Sequence, residues 1–140
     1  MGTLPKEPRR HGPMKHGDFT HVEIPADDPD RAKRFYAELL GWTFAPPVPG
    51  YEGYHVFTTP VGDAGAGGAI GKRGESAPER LRTYVHVDSI DESLARVEAL
   101  GGAVVEGKSE VPGIGWYAVL TDTEGNEIAL WERSADAAGT

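Results

Sequence analysis

The chain has 140 residues, with 14 Lys and Arg against 22 Asp and Glu for a formal net charge of −8, and it contains no cysteine. That length suits one domain with a proper core, and the negative balance excludes nucleic-acid backbones and anionic membrane surfaces, which need clustered cations. Without cysteine there are no disulfides, thiolate metal sites or thiol nucleophiles.

Residues 1–17 hold Lys6, Arg9, Arg10 and Lys15 with no apolar run behind them, so they read as a flexible N-terminal arm and not as a signal peptide. His11 and His16 are expected to be solvated there. No stretch has the apolar length of a membrane span, so a soluble, cytoplasmic protein is expected. Val22, Ile24 and Ala26 alternate with His21, Glu23 and Pro25, the period of a strand with two unlike faces. Asp28 then caps a helix that Pro29 opens; Ala32, Phe35, Tyr36, Leu39 and Leu40 form its apolar stripe, and Gly41 ends it. Trp42-Thr43-Phe44 is a short strand stopped by Pro46, Pro47 and Pro49, and Tyr54–Thr59 is the next. After a turn at Pro60–Asp63, the glycine-rich stretch Ala64–Gly71 is a fourth strand. It lacks the phosphate-binding glycine motifs and no helix follows it, so its glycines mark close backbone approach. Residues 72–80 are a polar linker.

The pattern then starts again. Leu81–Val87 is a strand, Ser89 and Glu92 are spaced as a capping box, and Ile90, Leu94, Val97 and Leu100 form a helical stripe that Gly101-Gly102 terminates. Strands follow at Ala103-Val104-Val105, Trp116–Thr121 and Glu127–Trp131, the last two joined by the turn Asp122–Asn126. Asp28-Pro29-Asp30 and Ser89-Ile90-Asp91, like Leu40-Gly41 and Leu100-Gly101, recur about sixty positions apart, the mark of a duplicated unit. The predicted architecture is α+β: two βαβββ modules, about 18–73 and 80–133, forming a curved mixed sheet around a central cleft within a single domain over 18–133. A tail covers 134–140.

Alternation also sorts the faces that do not meet the helices. They carry His21 and Glu23 on the first strand, Arg82, Tyr84 and His86 on the strand opening the second half, and Glu127, Ala129 and Trp131 on the last. If the two sheets face one another, these groups line a hollow suited to a small organic molecule with polar handles.

The paired βαβββ order, His21 followed by Asp28-Pro29-Asp30-Arg31 and Phe35-Tyr36, Leu40-Gly41-Trp42, Val87–Asp91, Pro112–Trp116 and Asp122–Asn126 together resemble the vicinal oxygen chelate superfamily. That superfamily contains glyoxalase I, bleomycin-resistance proteins and extradiol dioxygenases; the chain looks most like small glyoxalase-like proteins related to lactoylglutathione lyase. The resemblance implies four metal-ligand positions, which fall on His21, the Gly67-Gly68-Ala69 region, Arg82 and Ala129. Only His21 is a ligand type, and an arginine cannot be deprotonated to serve as one. No metal ligand is therefore assigned and no cofactor is expected, with a divalent metal in a rearranged His21, Glu23, His86 and Glu127 site as the alternative.

The expected function is binding of a small organic molecule between the modules. Arg82 would anchor an anionic group, Trp116 or Trp131 would stack on a flat one, and Glu23, Tyr84 and Glu127 would add polar contacts. The alternative is a glyoxalase-type lyase or isomerase, metal-dependent through the rearranged site or metal-free with His21 or His86 as base. The resemblance further implies a homodimer.

Overall fold

The computed structural model describes residues 14–47, 49–60 and 67–135. Its elements are β1 (Phe19–Ala26), α1 (Pro29–Leu40), β2 (Thr43–Phe44), β3 (His55–Thr58), β4 (Gly67–Lys72), β5 (Arg82–His86), α2 (Ile90–Val97), β6 (Ala103–Val111), β7 (Gly115–Thr121) and β8 (Glu127–Arg133). This is an α+β chain with the βαβββ order written twice. Its contacts gather into two units, whose described parts fall within 22–81 and within 14–21 plus 82–135. No helix among the described residues is long and apolar enough to cross a membrane.

In the first unit the strands lie in the order β2-β3-β4-β1, with the β2–β3 and β3–β4 pairs antiparallel. The extended Asp28 accepts the Arg31 N–H at 3.1 Å, Pro29 opens α1, and Gly41 closes it at φ 74 by donating to the Ala37 carbonyl. Ala32 and Tyr36 pack on a core of Ile24, Ala26, Phe57 and Ile70. Trp42 is stacked between Tyr36, at 4.9 Å, and Phe57, at 4.2 Å. The predicted stripe is wider than the face that packs. Phe35, Leu39 and Leu40 remain 58%, 63% and 45% exposed.

The glycines of β4 do bring backbones close. A Cβ on Gly68 would stand 2.0 Å from the Val22 carbonyl oxygen, so no larger residue fits between β1 and Phe57.

The second unit has the order β5-β8-β7-β6; β5 and β8 run parallel and the other pairs antiparallel, which makes a mixed sheet. Ser89 accepts the Glu92 N–H at 3.1 Å, and Glu132 takes the next orphan donor, the Ile90 N–H, at 2.8 Å. Ile90 and Leu94 then pack with Val87, Ala118, Leu130, Trp116 and Leu120. The regular part of α2 ends at Val97 and the glycines close it as expected: Leu100 still donates to the Arg96 carbonyl at 3.1 Å, while Gly101, at φ 99, and Gly102 donate back to the Glu98 and Val97 carbonyls. Two expectations need correction here. Leu100 does not extend the packed stripe, being 62% exposed. β6 is a nine-residue edge strand where only Ala103-Val104-Val105 was expected. Its second half is polar, as an edge facing water allows.

Of the predicted arm, residues 1–13 with His11 lie outside the described residues, as do 61–66 and 136–140 of the loop and tail. Residues 15–18 form a turn bound to β5: Gly17 donates to the His86 carbonyl at 2.8 Å and His86 donates to the Asp18 carbonyl at 2.7 Å. His16, expected to be free in solvent, accepts the Asp88 N–H at 3.2 Å through Nδ1 while staying 58% exposed.

Candidate functional site

The face of the second sheet averted from α2 is set by register. β5 places Arg82, Tyr84 and His86 in line; Tyr84 lies opposite Ala129 and His86 opposite Trp131 on β8. Across β8, Ala129 faces Val119 and Trp131 faces Tyr117 on β7. Tyr84, Val119 and Ala129 form a buried floor, with Tyr117 and Trp131 packed on it. Trp131 can lie there because β7 has a bare position: a Cβ on Gly115 would stand 2.8 Å from the indole Cζ2.

Arg82 and Glu127 open parallel strands and so meet at one end of this floor. The Arg82 Nη2 donates to Glu127 Oε1 at 3.1 Å. The Arg82 side chain is only 16% exposed against 46% for Glu127. Burial works against the guanidinium charge, but hydrogen bonds with Tyr84 and Glu127 more than offset it, so its proton affinity stands above the ordinary arginine value. The Arg82 Nε is buried and has no hydrogen-bond partner among the described residues. His21, at the start of β1, meets Tyr84 edge to face with ring centroids 5.5 Å apart.

Two groups on this face were not anticipated. Tyr117 donates to Glu106 Oε2 at 2.6 Å, and that bond, with burial second, holds its phenol above the ordinary tyrosine range. The strand Trp116–Thr121 is apolar at both parities, so alternation alone could not say which side faces α2. Trp116 is the casualty: it packs with Ile90 and Leu130 under α2, where Lys108 sits 5.0 Å above its ring, so it does not share a face with Arg82 and Trp131. Glu23 belongs to the first unit, where it accepts the Tyr54 hydroxyl at 2.7 Å. A further histidine, His55, is 5% exposed beneath α1, with Nε2 3.2 Å from Asp30 Oδ1.

These positions test the metal that the resemblance brings with it. Arg82 occupies the third ligand position, Ala129 the fourth, and Gly67, Gly68 and Ala69 offer no donor at the second. Glu127 is engaged with Arg82 and Glu23 with Tyr54, and no three His, Asp or Glu side chains converge among the described residues. Glu23 and Glu127, two members of the rearranged set, are thus each held by a partner within their own unit. A fixed guanidinium at the third position opposes a divalent ion.

A family model described as a glyoxalase-like domain matches residues 21–131. The chain belongs to the glyoxalase-like domain family. The glyoxylase-named protein CFP32 of Mycobacterium bovis is 30% identical to this glyoxalase-like chain over 131 residues, covering 90% of it and 49% of that protein. The chain thus spans about half the length of the mycobacterial relatives it matches. A glyoxylase-like domain-containing protein of Didymella fabae is also 30% identical, over 122 residues that make up 84% of this chain and 95% of that one. Among solved structures, a glyoxalase/bleomycin resistance protein/dioxygenase superfamily member of Vibrio splendidus aligns with TM-score 0.60 at 13% identity, over 83% of this chain and 98% of that one. That likeness bears on the fold alone. Together these findings place the glyoxalase-like chain in the vicinal oxygen chelate superfamily.

Proposed function

We propose that this glyoxalase-like chain binds a small organic anion, independently of a metal ion, on the α2-averted face of its second half, and, separately, that the chain forms a homodimer. The observation that carries the reading is the Arg82 guanidinium: largely buried, held by Tyr84 and Glu127, its Nε without a partner among the described residues, and at one end of a face that carries the aromatic groups Tyr117 and Trp131 further along. A cation fixed in partial burial attracts an anion more strongly than one in water, and its planar donors match a carboxylate. Tyr84 next to it and the rings further along the same face suit an unsaturated or aromatic body.

The test begins with metal analysis of the purified protein and continues with thermal unfolding in glyoxylate, benzoate and benzamide, each with and without Mn²⁺ or Zn²⁺. The expected result is stabilisation by the carboxylates alone, approaching about 2.7 kcal/mol at a hundredfold excess over Kd, unchanged by the ions and lost in Arg82→Ala. Stoichiometric bound metal, or a metal requirement for stabilisation, would overturn the reading.

A second reading, a metal-free lyase or isomerase with His21 or His86 as base, draws support from the His21 ring lying against Tyr84, itself bonded to Arg82. A base beside a cation suits proton abstraction next to a developing oxyanion. Exchange of the α-hydrogen of added mandelate with D₂O, abolished in His21→Asn, would favour it.

A further inference from the structure

We propose that Glu127 is an internal competitor for the anion site: its carboxylate occupies one arm of the Arg82 fork in the empty protein, and an arriving ligand carboxylate displaces it. This rests on the reading of Arg82 as an anion anchor. It goes further by giving Glu127 a role opposite to that of a ligand contact, and by naming a planar carboxylate as the ligand class.

The geometry is that of a half-filled fork. On a guanidinium, Nε–H and one Nη–H point the same way and together donate to the two oxygens of one carboxylate. In Arg82 one amine, Nη2, is taken by Glu127 Oε1 at 3.1 Å, and Nε is buried with no partner among the described residues. Glu127 thus satisfies the cation through a single oxygen and leaves a desolvated donor unmet, an arrangement that a bidentate acceptor improves. The two partners also differ in freedom. Arg82 is 16% exposed and held by Tyr84, whereas Glu127 is 46% exposed and is the first residue of β8, directly after the Asp122–Asn126 turn. The cation is fixed and the carboxylate can swing into water. A half-exposed pair of this kind is weakly held, so its displacement costs a ligand little and its presence still excludes weak anions.

The experiment measures benzoate binding by titration calorimetry, with benzamide as the neutral isostere, in the wild type, Glu127→Gln, Glu127→Ala and Arg82→Lys. Gln keeps an acceptor for Nη2 and removes the competing charge. Benzoate should bind roughly fivefold tighter to Glu127→Gln than to the wild type, the ratio that displacement of a pair of intermediate exposure implies. Glu127→Ala should tighten binding in the same direction, Arg82→Lys should lose it, and benzamide should bind none of them. If benzoate binds in an Arg82-dependent way but Glu127→Gln and Glu127→Ala weaken it or leave it unchanged, Glu127 is a ligand contact or a bystander; the competitor role then fails while the anion reading stands. If benzoate binds no variant, or binds Arg82→Lys as well as the wild type, the anion reading itself falls.

Discussion

Tyr117 and Glu106 share a hydrogen bond at 2.6 Å on the same face as Arg82, and the consequence is a titration. The carboxylate accepts from the phenol and would repel a phenolate, and burial adds to the effect, so the proton is held beyond the ordinary tyrosine value of 10.0. A group whose folded value is raised contributes stability that is complete below its unfolded value and is lost as pH climbs through the folded one. Absorbance at the phenolate band should therefore show a late step that belongs to Tyr117 in the folded protein. Glu106→Gln should return it toward the ordinary range, and Tyr117→Phe should remove the late step and leave the other steps unmoved. A late step that survives Glu106→Gln would mean that burial, not the carboxylate, controls this phenol.

At the scale of elements, the two helices were equally legible and are unequally buried. Both caps could be read directly: Asp28 with Pro29, and Ser89 with Glu92, are local chemistry that needs no tertiary knowledge. The apolar stripes were legible too, but a stripe says which side is greasy and not what covers it. Ile90 is fully buried and fixed by Glu132 on its N–H, whereas Phe35, on the corresponding stripe of α1, is 58% exposed. Ile90→Ala should therefore cost about 2–5 kcal/mol in denaturant unfolding, and Phe35→Ala within about 0.5 kcal/mol of nothing for the isolated chain. Equal losses would show that α1 is packed more deeply than its exposure indicates. The site was half legible for a related reason. Strands β5 and β8 have one parity that is clearly polar, so Arg82, Tyr84, His86, Glu127 and Trp131 sorted correctly onto one face. On β7, Trp116 and Tyr117 are both amphipathic and lie side by side. Only the packing of Trp116 against Ile90 settles which one turns toward α2.

At the scale of the whole molecule, the duplicated order carried most of the information, since two copies of one pattern constrain each other more than either does alone. It fixed the order of the strands and helices and the family, but not the oligomeric state, which belongs to surfaces. Phe35 and Leu39 lie one turn apart on α1 and Leu40 is beside them, all substantially in water, on a helix in which no residue is fully buried. Exposed apolar surface of this kind is worth about 25 cal/mol per Å² when covered, and a contiguous patch is more often an interface than a free surface. A second copy of the chain is the occupant we expect, so light scattering should give a mass near twice the 15.0 kDa of one chain at micromolar concentration. Phe35→Asp combined with Leu39→Asp should give a monomer with unchanged far-ultraviolet circular dichroism, because neither side chain supports the core beneath α1. A wild-type monomer, or a dimer indifferent to both charges, would leave that face without the role assigned to it. The thermal response to benzoate should persist in the monomer, since Arg82, Tyr84, Glu127 and Trp131 all belong to the second unit and α1 to the first.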